Sequence, residues 1–402
     1  MRTKVLALVA LCVGCSSSTD AGHGSPVPAD DAAGGGANGA SLGGTGSGGT
    51  ASGAAGTGGT GATGGTAGGG TFGGEGDAVP TVSGGGAGSA AGASGGGDGG
   101  IPADVLTAGA WDDNINYDFF NAYLATNAGL SGIPPIAQTD RDAANALFAG
   151  SRAAKQRLDI AIVIDTTGSM GDEASYLSTE FQSISAAIAV QFPNADQHWG
   201  LVAYRDRPDT DPGDDYVVKS WDFTTDLTTY QSTIASLQAA NGGDYPEAPD
   251  VGLATANGLS WRPDPDVARL AFWVADAPQH DQYGDAMAQD FADAHSQDVH
   301  LYPVSASGAD ELLEYTMRSG AQLTGGRYLF LTDDSGIGDP HLVPSIPCYF
   351  VTRLGNAIVR MVSIELSGVY QEPAPADVVR TAGNPTGGTC AVGNDGGVVG
   401  IF

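Results

Sequence analysis

From residue 157 onward the chain alternates two hydrophobic rhythms. Leu158, Ile160, Ala161, Ile162, Val163 and Ile164 form a nearly unbroken, largely β-branched apolar run, which predicts a strand buried on both faces of a parallel sheet. Leu177, Phe181, Ile184, Ile188 and Phe192 then recur at three- and four-residue spacing, the stripe of a helix over residues 172–192. Strands are predicted at 199–204 and 216–221, joined by an acidic loop of hairpin-like length, and helices at 227–237 and 251–259. A second apolar strand follows at 268–275. Helix 285–297, strand 298–304, helix 309–320, strand 326–331 and helix 348–362 complete the series. This order predicts an α/β fold: a doubly wound, mostly parallel central sheet flanked by helices, here residues 157–362.

The flanks read differently. Residues 101–156 carry two modest helical patterns and predict an N-terminal helical arm. Its phrase Trp111-Asp112-Asp113-Asn114-Ile115-Asn116-Tyr117-Asp118-Phe119-Phe120 reads as an exposed loop packing its aromatics on the main domain; Asp112, Asp113 and Asp118 as cation ligands is the other reading. Residues 363–402 form a C-terminal tail.

Composition adds the tether. Between Ala21 and Gly100, 34 of 80 residues are glycine, too little apolar surface to offset the entropy of ordering, so residues 16–100 are expected to be a disordered linker. A glycine-rich coil of about 85 residues has a root-mean-square span of about 50 Å. Ahead of it, Arg2 and Lys4 precede an apolar run from Val5 to Gly14, too short to cross a bilayer but suited to an export signal over residues 1–15. Gly14-Cys15 followed by Ser16-Ser17-Ser18 resembles the lipobox of bacterial lipoproteins, with Cys12 where leucine is commonest. The resemblance implies acylation of Cys15 and, with serine next, an outer-membrane address. An ordinary cleaved signal and a secreted protein is the alternative.

Charge narrows the partners. From Ile101 to Phe402 there are 14 basic and 40 acidic residues, a net charge of −26. Such a surface repels nucleic acid and anionic headgroups and attracts cations, so membrane contact is expected through the lipid alone. Two cysteines remain, Cys348 and Cys390. They pair in an oxidising compartment or stand as thiols with Cys348 buried in a helix, and spacing leaves both readings open.

The candidate chemistry lies at the ends of the two apolar strands. Asp165, Thr167 and Ser169 place a carboxylate and two hydroxyls at alternating positions of a tight turn, and Asp276 ends the strand 268–275. Asp244 sits in Asn241-Gly242-Gly243-Asp244-Tyr245-Pro246-Glu247, whose glycines permit close backbone approach. Together they offer five hard oxygen ligands at the carboxyl edge of an α/β sheet. Glu247 is expected in solvent or behind the ligands, and His280 as a packing residue. Asp209, Asp211 and Asp215 lack the spacing of an EF-hand and read as a solvated turn.

These residues carry a resemblance. Asp165-x-Thr167-x-Ser169 resembles the metal-ion-dependent adhesion site of von Willebrand factor type A domains, and Trp273-Val274-Ala275-Asp276-Ala277-Pro278 resembles that family's third metal loop. The phrases DTTGSM, VAYRD at 202–206, GGDYPE and ADAP are similar to the branch found in alpha-kinase-associated proteins and hemicentins, where an aspartate replaces the threonine of the second loop. The resemblance implies a divalent cation, Mg²⁺ or Ca²⁺, and a binding module for a protein or surface polymer at the metal face. With Asp165, Asp244 and Asp276 the loaded site is net −1, better at keeping its ion than at recruiting a partner's carboxylate. A scaffold whose metal only holds the loops is the second expectation. An enzyme is not expected: G-x-S-x-G, the phosphate loop and metalloprotease histidine spacing are all missing.

Overall fold

A computed structural model of the chain describes residues 101–127, 137–148, 152–208, 213, 215–243, 245–392 and 397–401. The expected export signal, Cys15 and the Gly-rich linker lie outside the described residues. In chain order the elements are β1 (Thr107–Trp111), α1 (Tyr117–Thr126), α2 (Gln138–Phe148), β2 (Arg157–Asp165), α3 (Ala174–Gln191), β3 (Asp196–Tyr204), β4 (Val218–Thr224), α4 (Leu227–Ala235), α5 (Pro249–Asn257), β5 (Val267–Ala275), α6 (Gly284–Ser296), β6 (Val299–Ser305), α7 (Glu311–Thr324), β7 (Tyr328–Leu331), β8 (Tyr349–Arg353), α8 (Leu354–Ser367), β9 (Val378–Ala382), β10 (Pro385–Thr386), β11 (Thr389–Val392) and β12 (Gly397–Gly400). The main sheet runs β4-β3-β2-β5-β6-β7-β1-β8-β9. Its centre, β3-β2-β5-β6-β7, is parallel, while β4 pairs antiparallel with β3.

Side-chain alternation along the central strands builds two hydrophobic layers. Ile160, Ile162 and Ile164 of β2 and Leu270, Phe272 and Val274 of β5 face the layer closed by α3, α4 and α8. Val163, Ala271, Trp273 and Ala275 face the layer closed by α1, α5, α6 and α7. Each large buried side chain contributes about 1.5–3 kcal/mol, so the continuous apolar run of β2 follows from a strand covered on both sides.

Two expectations are corrected. Residues 101–156 are more than a helical arm, because β1 inserts into the sheet between β7 and β8, antiparallel to both. Every residue of Thr107–Trp111 is buried, and a side chain at Gly109 would collide with the ring of Phe330. Nor is the acidic phrase an exposed loop. Asp112 and Asp113 are buried, with Arg327 Nε 2.8 Å from Asp112 and the Arg318 guanidinium on Asp113 at 2.6 and 2.9 Å. Arg318, itself fully buried, also donates to Glu314 at 3.1 Å. Burial pushes the Asp113 carboxyl up, against the pull of Arg318.

The helix expected over 348–362 divides. Tyr349–Arg353 is a strand, aromatic and β-branched, whose backbone pairs with β1 and β9. The helix begins at Leu354, whose N–H reaches Leu106 O at 2.9 Å, and ends before Gly368 at φ 66°, the left-handed conformation that suits glycine. Cys348 precedes that strand and forms a disulfide with Cys390, Cα–Cα 6.2 Å, which displaces the reading of a free thiol within a helix. The tail supplies edge strand β9 and a small sheet of β10, β11 and β12.

At the edge where β6 begins, Glu365 of α8 gathers His300 Nδ1 at 2.8 Å, Tyr302 Oη at 2.5 Å and Arg152 Nη1 at 3.3 Å. Burial alone would raise the Glu365 carboxyl, but His300 and Arg152 hold it down at about 2. Among the described residues no helix is long and apolar enough to cross a membrane.

Candidate metal centre

β2 and β5 are neighbours in register, Ile164 opposite Val274, so their terminal carboxylates Asp165 and Asp276 emerge at one edge. Both are buried, at 1% and 3% exposure. Asp165 Oδ1 accepts from Thr167 N at 2.9 Å and Thr167 Oγ1 at 2.8 Å, and Thr167 Oγ1 lies 3.1 Å from Ser169 Oγ. Thr167 leads into the 3-10 turn Gly168–Asp172. The turn is thus folded around one carboxylate oxygen and leaves the other turned elsewhere.

Asp165 Oδ2 and Asp276 Oδ1 are buried and meet no donor at hydrogen-bonding geometry among the described residues. A desolvated carboxylate without a partner charge is costly. Burial, and then the charge of Asp276, push the Asp165 carboxyl well above its usual range. Burial likewise pushes Asp276 up to about 6, with Ser169 pulling down and Glu173 and Asp172 pushing further up. The strand ends therefore create a negative, dehydrated spot that a cation would relieve.

The second loop packs directly on the first. Gly168 N donates to Asn241 O at 2.6 Å, and a Cβ on Gly168 would stand 2.6 Å from that oxygen. Gly242, at φ 76°, lies so close that a Cβ there would be 2.6 Å from Thr167 Cβ and 2.7 Å from Glu247 Oε1. Both glycines are required by this contact. Asp244 itself lies outside the described residues, so the site assembled from described residues holds two carboxylates and two hydroxyls. Glu247 is not in solvent: it is 1% exposed, its N–H reaches Pro278 O at 2.9 Å, and it bridges to Gln279, tying the second loop to the third.

Around this core other polar groups fix the loops. His280 Nε2 is 2.8 Å from Asp206 Oδ1, both buried. Arg205 donates to Thr166 O at 3.0 Å and Gln238 O at 2.9 Å. Arg207 pairs with Asp250 through both guanidinium nitrogens and lies 3.5 Å over the ring of Tyr283. The buried phenol of Tyr204 takes a hydrogen bond from Trp273 Nε1 at 3.0 Å and faces Asp165. Of the acidic turn, Asp209 and Asp211 lie outside the described residues, and Asp215 is exposed, 4.0 Å from Arg205.

Sequence reasoning missed Glu173 and His341. Glu173 is wholly buried at the start of α3; it accepts from Ser307 N at 3.2 Å and faces His341 Nε2 at 2.7 Å, while His341 Nδ1 faces Asp333 at 2.8 Å. With a carboxylate at each ring nitrogen, only the imidazolium donates both bonds. The residues lie 168 positions apart, and no local motif joins them.

Part of the chain is similar to known proteins. Residues 159–303 match the model of the von Willebrand factor A domain family. A protein of Acanthamoeba polyphaga mimivirus named as an ariadne-like RING finger protein is 35% identical over 126 residues, 31% of this chain and 11% of its own. The alpha-protein kinase vwkA of Dictyostelium discoideum is 22% identical over 148 residues, 37% of this chain and 23% of its own. The chain thus spans only about a tenth to a quarter of these relatives. Among solved structures, the pilus adhesin SpaC of Lactobacillus rhamnosus GG in its open conformation is similar over 44% of this chain and 27% of its own, with 12% identity and a TM-score of 0.33. The conserved hypothetical protein BatB of Bacteroides thetaiotaomicron is similar over 51% of this chain and 97% of its own, with 12% identity and a TM-score of 0.35.

Proposed function

We propose that this domain is a divalent-cation-dependent binding module of a bacterial cell envelope, docking a protein or surface polymer at the carboxyl edge of its sheet, and that it is not an enzyme. The observation that carries the reading is the pair of buried carboxylate oxygens without donors, Asp165 Oδ2 and Asp276 Oδ1, at adjacent strand ends. The donor set fits a hard cation, Mg²⁺ or Ca²⁺, because it is all oxygen. Asp165, Thr167, Ser169 and Asp276 would hold it, with Asp244 joining from the second loop. A bound ion supplies positive charge and an open position for a partner's oxygen. The chain's own residues build the edge: the glycines seat the second loop, Glu247 joins it to the third, and Thr167 orients Asp165. On the same reading the domain is exported and held at the outer membrane by acylated Cys15, on the Gly-rich linker.

The test is thermal unfolding of the full chain in EDTA and in millimolar Mg²⁺ or Ca²⁺. Wild type is expected to gain stability from the ion and Asp165→Ala to gain none. Equal gain in both proteins refutes the site.

A further inference from the structure

We propose that residues 333–341 are a pH-sensitive strap across the start of α3, fastened by the His341 imidazolium and loosened when that ring loses its proton. The inference goes beyond the cation reading and does not depend on it.

Leaving the sheet after β7, the chain crosses Asp172 and Glu173, which close the turn bearing Ser169 and lead into α3. Asp339 N donates to Asp172 Oδ2 at 2.7 Å. Gly308 N, beyond the end of β6, donates to Pro340 O at 3.4 Å. Gly338, at φ 83°, lies so close that a side chain there would collide with the Glu173 carboxylate. Ile337 rests against the hydrophobic layer closed by α3, α4 and α8, which seats the near half of the strap independently of pH. The far half depends on His341, and just beyond it Val343 is 77% exposed.

The fastening is an imidazole between two carboxylates. Glu173 Oε1 faces Nε2 at 2.7 Å and Asp333 Oδ1 faces Nδ1 at 2.8 Å, while Asp333 Oδ1 also accepts from the His341 N–H at 2.9 Å. Neutral imidazole carries one ring N–H. Because Glu173 is wholly buried and Asp333 exposed, the proton that remains stays toward Glu173. Loss of the charge therefore weakens the bond to Glu173 and breaks the one from the ring to Asp333. Of the other charges nearby, Asp172 is engaged by Asp339 N, and Asp334 is paired with Arg380 of β9 at 2.6 and 2.7 Å. Burial pulls the ring's pKa down, but Glu173 and Asp333 outweigh it and hold it above the usual 6.5. The bonds from His341 hold the Asp333 carboxyl below its usual range, so it stays charged throughout. The fastening is complete below about 6.5 and lost as pH rises through the higher folded value. Opening uncovers the Glu173 carboxylate beside Asp172.

The test is hydrogen exchange of the full chain read by mass spectrometry from about pH 5.5 to 9, each rate divided by the intrinsic rate at that pH. In wild type, protection of a peptide spanning residues 333–341 is expected to hold at low pH and to fall about tenfold as His341 deprotonates, while peptides from β2 and β5 keep theirs. His341→Gln is expected to give low protection with a flat profile. Glu173→Gln, which keeps an acceptor without the charge, is expected to move the fall to lower pH. Wild-type protection that is equal at both ends of the range overturns the proposal, even if neither variant folds. So does a fall that persists in His341→Gln, or one whose midpoint Glu173→Gln leaves in place.

Discussion

Replacing Asp276 by asparagine removes one charge from the pair at the strand ends while keeping shape and an acceptor for Ser169. In the ion-free protein that charge is a burden. Burial first, and then Glu173 and Asp172, raise the carboxyl from 3.8 to about 6. About two pH units at 1.36 kcal/mol each is a native-state cost of about 3 kcal/mol near neutral pH. The sign follows from linkage: between about 4 and 6 the native state holds a proton that the unfolded chain has released, so this group's contribution to stability falls as pH rises through that window. In EDTA at pH 7.5, Asp276→Asn is therefore expected to unfold later than wild type, by roughly 6 °C at about 2 °C per kcal/mol. In Ca²⁺ or Mg²⁺ the order reverses, because wild type gains the ion's binding energy and the variant gains little. Differential scanning calorimetry in the two buffers reads both effects. A variant less stable than wild type in EDTA, or one stabilised by the ion as much as wild type, would refute the account of these carboxylates as a desolvated pair awaiting a cation.

Two further outcomes follow from buried charge elsewhere. Arg318→Met leaves Asp113 and Glu314 buried without their counter-ion and is expected to cost about 3–5 kcal/mol in urea unfolding, much of it recovered when Asp113→Asn and Glu314→Gln are added. Glu365, held down at about 2, contributes stability that is present above its unfolded value of 4.5 and lost as pH falls toward 2. Glu365→Gln should show a shallower decline in melting temperature than wild type across that range.

The strands that position the site were legible because they are apolar on both faces. Leu158–Ile164 and Ala268–Ala275 read as hydrophobic runs, broken only by Asp159 and Arg269, and the helix after β2 showed its stripe. β1 was not legible: Thr107–Trp111 is short and rich in alanine and glycine, and its role depends on room made for Phe330, a residue more than 200 positions away. β8 was hidden because its five residues run straight into an apolar helix without a turn residue between them. At the site, Asp165, Thr167, Ser169 and Asp276 stood out as oxygen-bearing residues at strand ends. Glu247 was left open between solvent and a place behind the ligands, because only the pairing of the second and third loops buries it. Glu173 and His341 gave no local cue, since each acquires meaning only from the other.

β1 runs opposite to the parallel strands, so Thr107, where the chain enters the sheet, lies at the edge to which β7 and β8 point, the edge that carries Asp165 and Asp276. Thr332 N closes on Thr107 O there at 2.9 Å. A load drawn through the residues before Thr107 and resisted by something gripped at that same edge would act on neighbouring strand ends. The ladder bonds on the two sides of β1, four registers to β7 and three to β8, would then meet it one after another, starting from Thr107. The strand least visible in the chain is thus the one through which the domain would bear tension.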